Sequence, residues 1–316
     1  MRRTDVLITQ ARAISRNAAN ADGTYAIGDT EVLQYLNDAQ DRIQNLISST
    51  KNVAKIFATQ EIIDLVASQE AYSISDRVLL NKQIESVEFS ATGSVSDYVR
   101  LEKLNFFNRD TNSSNYPWGY IKRGGQILVQ PTPSTGSPGT LRVTYERDLD
   151  DLDIPRGAIS TITNGTATQF DTITLDATAN SYETTTPGWS TAQYCCVVDA
   201  FGARKCRNIL ISGYVTVTNI LTPNPSPFIY ADGDSALTVG DIAVFGKYTT
   251  TFSQLPDSCE RYLIHYAAAE LLRRDSSNDY SKAKDMVDEI EADILKALAS
   301  QTSEVQFIPE MNRYEW

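Results

Sequence analysis

The residues whose types could support catalysis are few and scattered along the chain. His265 is the only histidine among 316 residues, and it lies in ERYLIHYAAAE among Tyr, Ile and Ala. A lone histidine on such a helical segment is more often a packed residue than a general base. The sequence contains no GxSxG or HExxH motif, and both motifs depend on a fixed local spacing. We therefore expect the protein not to be an enzyme.

The cysteines and the glycine-rich segments also lack a chemical signature. Cys195, Cys196, Cys206 and Cys259 form no CxxC pair, and the adjacent pair in AQYCCVVDAFG is predicted to be two small buried strand residues. GDIAVFGKY places Gly-Lys after an earlier glycine. Its spacing is one residue too long for a phosphate loop, and Tyr248 replaces the required Ser or Thr. These patterns predict neither a cofactor nor a metal ion.

One acidic loop matches a metal-binding pattern in part. Asn20, Asp22, Thr24 and Glu31 have the ligand spacing of an EF-hand and lie between two predicted helices. However, Tyr25 stands where the sharp turn of such a loop requires glycine, and carboxylates are few. This pattern favours an ordinary helix-joining loop.

A second acidic segment, LDDLDIPRG, contains Asp150, Asp151 and Asp153. It cannot be a calcium loop, because Pro155 and Arg156 occupy positions that would carry ligands. Its Asp, Pro and Gly content is typical of a turn. We therefore predict a linker between two β modules, with the three carboxylates facing water.

The charge balance argues against a nucleic-acid-binding protein. Lysine and arginine total 28 and aspartate and glutamate total 40, which gives a net charge of −12. Such a surface repels phosphate, although it suits a wall past which DNA slides without sticking. No stretch approaches the ~20 apolar residues of a membrane helix. MRRTDVLITQARAISRNAAN lacks the apolar core of a secretion signal, so we expect folding in the cytoplasm and no membrane contact.

Helical periodicity at both ends of the chain predicts two pairs of helices. DVLITQARAISRNAAN and DTEVLQYLNDAQDRIQNLISS carry apolar residues three and four positions apart. So do SCERYLIHYAAAELLRRDSS and SNDYSKAKDMVDEIEADILKALAS, the first of which follows Pro256. Because neither pair alone buries its apolar stripe, we expect the four helices to pack together.

Between these helices the apolar period changes to two. Short segments rich in Val, Ile, Tyr and Thr begin near residue 53 and are separated by Gly, Pro, Ser and Asn turns. The clearest is the hairpin IKRGGQILVQP, in which Gly124-Gly125 permits a tight turn. Residues 156–252 repeat the pattern with more Thr, Asn and Gly. This region predicts a second β module, either a sandwich or a small barrel.

The sequence therefore predicts an α+β protein in which N- and C-terminal helices form an α-helical bundle, with β domains inserted between them. The predicted divisions are a bundle over 1–52 and 256–300, a β domain over 53–150, an inserted β module over 151–255 and an extended C-terminal segment over 301–316. Since the end helices and the first β domain would form their own core, excising 156–252 is expected to preserve the helical frame.

The C-terminal segment QTSEVQFIPEMNRYEW has an unusual apolar content. Its large apolar residues are Phe307, Ile308, Met311, Tyr314 and Trp316. Pro309 interrupts any helix here, and terminal residues are usually polar unless something ties them down. A segment with a few aromatic anchors can fold on binding and fill grooves between subunits. We therefore expect its partner to be on another chain.

The order of these elements resembles that of the head-to-tail adaptor (connector) proteins of tailed bacteriophages, and it is podovirus-like. The resemblance covers about 4–150 and 256–300, whereas 156–252 resembles an inserted module. The segments that carry it are DVLITQARAISRNAAN, GDTEVLQYLNDAQDRIQNLIS, EAYSISDRVLLNKQIESVEF, YPWGYIKRGGQILVQPTP, GTLRVTYERDL and DSCERYLIHYAAAELLRRD.

The resemblance implies a structural virion protein at the head–tail interface. It implies a dodecameric ring of this chain that binds the portal protein and tail nozzle or fibre proteins, with DNA passing through its channel during genome ejection. It also implies that Glu304 through Trp316 dock onto the portal, with Phe307, Ile308, Tyr314 and Trp316 as the main anchors. Glu31, Asp38 and Asp41 on the second helix are candidates for lining the channel.

Two alternatives stay open on the sequence. One is an outward-facing receptor- or glycan-binding virion protein that acts through 156–252, and glycan binding by that module would favour it. The other is a cell-wall glycan hydrolase, which needs two carboxylates but no local motif. Turnover that is lost on neutralising Glu61 or Glu85 would favour the hydrolase.

Overall fold

The chain folds into two compact units, one formed by 1–53 together with 149–316 and the other by 54–148. A computed structural model describes residues 2–17, 19–20, 25–49, 57–74, 84–105, 113–114, 116–134, 139–182, 188–230, 234–275 and 277–302. Four α-helices and twenty strands lie within these residues, so the predicted α+β class is confirmed.

All four helices belong to the first unit. They are α1 (Thr4–Ser15), α2 (Asp29–Ser49), α3 (Asp257–Arg274) and α4 (Tyr280–Thr302). Helix α3 contacts each of the other three. It makes close contact possible because Ala267 and Ala268 are fully buried and add little bulk between neighbouring backbones.

Local sequence explains where these helices begin and end. Helix α3 follows Pro256, and it has Asp257 and Glu260 in its first turn and Arg273 and Arg274 in its last. Acidic residues at the N-terminus and basic residues at the C-terminus interact favourably with the helix dipole. Helix α1 is followed by Arg16, which adopts a left-handed conformation with φ of 56° and so ends the helix.

The second unit is built from short strands, most of which pair antiparallel and two pairs of which are parallel. They are β1 (Ala58–Asp64), β2 (Ala71–Ser73), β3 (Ser86–Ser90), β4 (Val99–Arg100), β5 (Glu102–Lys103), β6 (Ser113–Ser114), β7 (Gly119–Arg123), β8 (Gln126–Gln130), β9 (Thr132–Pro133) and β10 (Thr140–Glu146). One four-stranded sheet has the order β1-β10-β3-β4 and another β2-β8-β7-β5. The predicted hairpin is β7–β8, which turns at Gly124 with φ of 57°.

A six-stranded closed barrel occupies much of the first unit. The strands from 151 onward are β11 (Asp151–Leu152), β12 (Gly157–Thr163), β13 (Gln169–Phe170), β14 (Thr172–Leu175), β15 (Tyr194–Val198), β16 (Arg204–Val215), β17 (Ile220–Pro223), β18 (Phe228–Ile229), β19 (Ile242–Phe245) and β20 (Thr249–Thr250). The barrel order is β12-β14-β17-β16-β15-β19. Of the two predicted forms of this module, the structure has the barrel.

The barrel interior is filled by apolar and aromatic side chains. Trp189 is fully buried. Its ring stacks on that of Tyr214 and packs edge-on against that of Phe245, with ring centres 6.0 and 4.5 Å apart. Cys195 and Cys206 belong to the same buried cluster. This filling leaves the barrel as a packed core rather than an open pore.

Candidate functional site

The residues that sequence analysis singled out for chemistry are mostly buried. All four cysteines are free and buried. Burial raises the pKa of Cys195 well above its usual value and also raises the pKa of Cys196, Cys206 and Cys259. Each thiol therefore stays protonated at neutral pH, which removes the thiolate that nucleophilic or metal chemistry requires.

The native protein is expected not to react with a thiol reagent such as Ellman's reagent at about pH 8, where an ordinary thiol is partly ionised. All four cysteines should react once the chain is unfolded. Absorbance of the released thiolate measures both rates. A rapidly labelled cysteine in the folded protein would contradict the burial of these side chains.

His265 lies on α3 and is half-buried. Burial lowers its pKa, and the positive charge of Arg261 lowers it further. The imidazole is therefore neutral at physiological pH, as expected for a packed histidine. Across the described residues no group of three or more His, Cys, Asp or Glu side chains is placed to hold a metal ion.

The acidic segment LDDLDIPRG is not the exposed linker that its composition predicts. Asp151 is exposed, but Asp150 and Asp153 are 2% and 5% exposed. Asp153 accepts hydrogen bonds from Arg156 Nη2 at 2.6 Å and from the Phe245 amide at 3.2 Å. The prediction that these carboxylates face water was wrong for two of the three, because an arginine and a barrel amide satisfy Asp153.

Residues 149–156 and 247–255 together form a structure that we call the neck. Strand β11 runs parallel to β20, with Asp151 opposite Thr249 and Leu152 opposite Thr250. The Gln254 side chain accepts a hydrogen bond from the Asp150 backbone amide and donates one to the Asp150 carboxylate, at 2.9 Å in each case. The neck therefore connects the barrel to the helices through ordered backbone.

Helices α1 and α2 bind the neck with polar side chains. On α2, Asn37 accepts from the Leu152 amide at 2.7 Å, and Gln40 donates to the Asp150 carbonyl at 3.0 Å. On α1, the amide and hydroxyl of Thr4 both donate to the Thr251 carbonyl, at 2.8 and 2.9 Å. Sequence analysis missed these contacts, although polar residues such as Gln40 on the apolar stripe of α2 were a signal for them.

At the loop with partial EF-hand spacing, an arginine of α1 binds an aspartate at the start of α2 and so joins the two helices. Arg12 of α1 is 4% exposed and donates to the Ile27 carbonyl and to Asp29, both at 2.7 Å. Its guanidinium also lies 3.9 Å from the ring centre of Tyr25. Residues 21–24 lie outside the described part of the chain. The contacts of Arg12 support an ordinary helix-joining loop.

The candidate channel acids of α2 have different surroundings. Asp38 and Asp41 are exposed. Glu31 is half-buried, forms an ion pair with Arg274 and accepts a hydrogen bond from Tyr35 at 2.7 Å. Glu31 therefore joins α2 to α3, and its charge is compensated.

The remaining predicted site residues are Glu61, Glu85 and the portal anchors. Glu61 accepts a hydrogen bond from the Tyr145 hydroxyl at 3.0 Å within the second unit. The predicted portal anchors lie outside the described residues, and their role stays a prediction. They are Phe307, Ile308, Met311, Tyr314 and Trp316.

A comparison with sequence families matches residues 5–177, more than half of the chain, to the family described as SU10 adaptor protein. The chain belongs to this family. The SU10 adaptors are a tailed-phage head-to-tail adaptor family, so the resemblance drawn from the order of elements is confirmed. Membership identifies a structural virion protein and indicates a non-enzymatic role.

The SU10 adaptor match covers α1, α2, the second unit and the start of the barrel. It ends at residue 177, just after β14. A comparison with curated proteins gave no match. None of the described helices combines the length and apolarity that crossing a membrane requires.

Proposed function

We propose that this chain forms a dodecameric ring below the portal, links the portal to the tail and leaves a channel through which DNA passes. The observation that carries the proposal is the SU10 adaptor match over residues 5–177. A ring of identical chains needs a rigid frame and a segment that engages the neighbouring ring. We propose that the helices supply the frame and that the C-terminal residues supply this segment.

The four helices are proposed to act as one bundle that serves as the frame. Support comes from the contacts of α3 with α1, α2 and α4 and from the ion pair between Glu31 of α2 and Arg274 of α3. Arg42 of α2 also pairs with Glu291 of α4 at 3.0 Å. These contacts join helices from opposite ends of the chain.

The C-terminal segment is proposed to dock onto the portal. Helix α4 ends at Thr302, and fourteen residues with several large apolar side chains follow it in the sequence. Aromatic anchors of this kind contribute strongly to binding when they fill pockets on a partner. The partner in this case would be the portal ring.

The net charge supports passage of DNA without retention. The chain carries a formal charge of −12, and acidic walls repel phosphate. Exposed Asp38 and Asp41 are the α2 residues proposed to line the channel. We further propose that nozzle or fibre proteins bind the opposite face of the ring.

The experiment mixes purified protein with the portal ring from the same genome and examines the product by negative-stain electron microscopy. The full chain is compared with a chain that ends at Thr302 and with one in which residues 303–316 are scrambled. Only the full chain is expected to form a symmetric ring on the portal, because the truncated chain lacks the apolar anchors and the scrambled chain has them at other positions. The symmetry of the class averages gives the number of copies.

A full chain that does not bind the portal would overturn the proposed function. If the truncated chain binds as well as the full chain, the ring assignment stands and the tail is not its anchor. Circular dichroism of the truncated chain is the control, and it should match the full chain, since the tail is proposed to make its contacts on another chain.

A further inference from the structure

The sequence contains a single Asn-Gly step, Asn164-Gly165 in STITNGTATQ. It lies just after β12, in the connection that leads from Thr163 to Thr172, its antiparallel partner in β14. Both residues of the step are exposed. Asparagine is a thermolabile residue, and a glycine that follows it has no side chain to shield its peptide nitrogen. The step therefore combines the sequence and the exposure that favour spontaneous deamidation.

Two other asparagines provide an internal comparison. Asn164, Asn208 and Asn219 all adopt a left-handed backbone, with φ of 50°, 51° and 54°, a conformation that asparagine tolerates better than most residues. Ile209 and Ile220 follow the second and third of them. A β-branched side chain crowds the peptide nitrogen. The three positions therefore share a backbone conformation, and the residue that follows sets Asn164 apart.

The peptide nitrogen of Gly165 is available as a nucleophile. Among the described residues no acceptor lies within hydrogen-bond distance of its N–H, whereas the amide of the next residue, Thr166, donates to the Gln169 carbonyl at 2.8 Å. A hydrogen bond to the neutral form of a group disfavours its ionisation. The Gly165 amide is free of that restraint, so it can lose its proton and attack the neighbouring side chain.

An aspartate across the turn holds the Asn164 side chain. Asn164 Nδ2 donates to Asp171 Oδ2 at 2.5 Å, and the Asp171 amide donates to the Thr163 carbonyl at 3.0 Å. Hydrogen bonds to a carboxylate are among the stronger ones. The Asn164 carboxamide must rotate before its carbon can meet the Gly165 nitrogen. Asp171 therefore opposes the reaction that Gly165 permits.

We propose that Asn164 is a deamidation site and that Asp171 slows its conversion. The Gly165 nitrogen loses its proton to hydroxide and bonds to Asn164 Cγ. The Cγ–Nδ2 bond then breaks, and its nitrogen leaves as ammonia with a proton from water, which restores the hydroxide. Water opens the resulting five-membered succinimide at either carbonyl and yields aspartate or isoaspartate. Water is the only reagent consumed, and nothing is oxidised or reduced.

Conversion would change the turn at a place that matters to the barrel. Each converted chain gains one negative charge beyond its formal −12. The new carboxylate faces Asp171, where a hydrogen-bond donor stood, and isoaspartate also adds a methylene to the backbone. The same connection carries Phe170, which is fully buried and packs against Phe228 with ring centres 5.3 Å apart. Deamidation would therefore weaken the packing at this end of the barrel.

Membership of a virion gives this chemistry its consequence. A structural virion protein is not replaced once its particle has left the cell, so converted chains accumulate with the age of the particle. The inference needs no ring, portal or channel, and it stands or falls separately from the proposed function.

Peptide mapping of the full chain measures the conversion. The protein is incubated at mildly alkaline pH, and the tryptic peptide 157–204 is sequenced by tandem mass spectrometry at intervals. We expect residue 164 to shift to the mass of aspartate, and Asn208 and Asn219 to keep their mass. The urea-unfolded chain is the positive control. If Asn164 stays intact in the folded protein while the unfolded chain converts there, the site is not a deamidation site of the native molecule.

Variants of Asp171 test the restraint. Asp171→Ala removes the acceptor and is expected to speed the conversion about fivefold, the factor that corresponds to one typical hydrogen bond. Asp171→Asn is the matched control, because it keeps an acceptor oxygen at this position and should convert more slowly than Asp171→Ala. A rate for Asp171→Ala equal to that of the native chain would overturn the protective role of Asp171.

Exchanging the two side chains measures the effect on the barrel. Asn164→Asp reproduces the product charge and is expected to lower Tm by about 2–4 °C, the shift that the loss of one hydrogen bond causes in a unit of this size. Asn164→Asp/Asp171→Asn puts the amide on the opposite side of the turn, so it should restore the hydrogen bond and the Tm. A double variant as unstable as Asn164→Asp would contradict carboxylate repulsion as the cause.

Discussion

Replacing Arg156 by alanine is expected to lower the free energy of unfolding of the barrel-containing unit by about 3–5 kcal/mol, the usual cost of leaving a buried charge without its partner. The side chains of Arg156 and Asp153 are 10% and 8% exposed. The guanidinium bonds the carboxylate through Nε at 3.1 Å and Nη2 at 2.6 Å. It also lies 4.8 Å from the ring centre of Phe245. Its removal would leave the buried Asp153 carboxylate with only the Ile154 and Phe245 amides as donors and no cation beside it, and would leave a cavity beside that ring.

Urea unfolding followed by tryptophan fluorescence in a Trp118→Phe/Trp316→Phe background measures this change, because the remaining Trp189 indole donates to the Arg156 carbonyl at 3.2 Å. Arg3→Ala is the matched control. Arg3 pairs with Asp5 at 2.6 Å on the surface, with side chains 45% and 40% exposed, so its loss should cost at most about 1 kcal/mol. Equal losses for the two variants would mean that the neck ion pair contributes no more than a surface pair.

A double variant tests the cause of the loss. Asp153→Leu/Arg156→Met removes both charges and keeps most of the volume. It is expected to recover much of the stability, because buried pairs contribute little once desolvation is counted. A double variant as unstable as Arg156→Ala would show that the hydrogen bonds of the pair, rather than an orphaned charge, hold the neck together.

The helices were predictable because the information that determines them is local. The α2 stripe of Val32, Leu36, Ala39 and Ile43 is fully buried, as its three- and four-residue spacing predicts. Proline before α3 and charges at its two ends marked that helix in the same way. The hairpin β7–β8 was equally clear, since a glycine pair determines its turn.

The closure of the β module could not be predicted from local pattern. A sandwich and a barrel share the same alternating strands. They differ in whether the first and last strands pair with each other and close the sheet. Here Gly157 of β12 pairs with Ala243 of β19, a contact between residues far apart in the sequence. No residue type near either strand indicates that partner.

The neck was misinterpreted for the same reason. Asp, Pro and Gly in LDDLDIPRG are typical of exposed turns. The burial of Asp153 depends on the Phe245 amide, 92 positions away. A sequence window around the aspartate contains the arginine but not the amide, so composition gives the wrong environment.

Excising 156–252 is expected to destroy the cooperative unfolding of the helices, contrary to the expectation from sequence alone. The excision removes Thr251, whose carbonyl accepts both hydrogen bonds from Thr4 at the start of α1. It also removes Thr250, which pairs with Leu152 in the neck. Phe252, which forms a β-bridge with Arg3, is lost as well. Helix α1 would lose the backbone that ties down its first turn, and β11 would lose its partner strand.

A shorter excision is the matched comparison. Ala158 and Ile242 are antiparallel partners, so replacing 159–241 by Asn-Gly should close a tight hairpin and keep the neck intact. Far-UV circular dichroism during thermal unfolding should show a cooperative helical transition for this variant and a broad one for the longer excision. If both variants melt cooperatively, the neck is dispensable for the helices. The shorter excision retains every neck contact that α1 and α2 make and removes only the barrel. If neither variant melts cooperatively, the helices therefore depend on the barrel core itself.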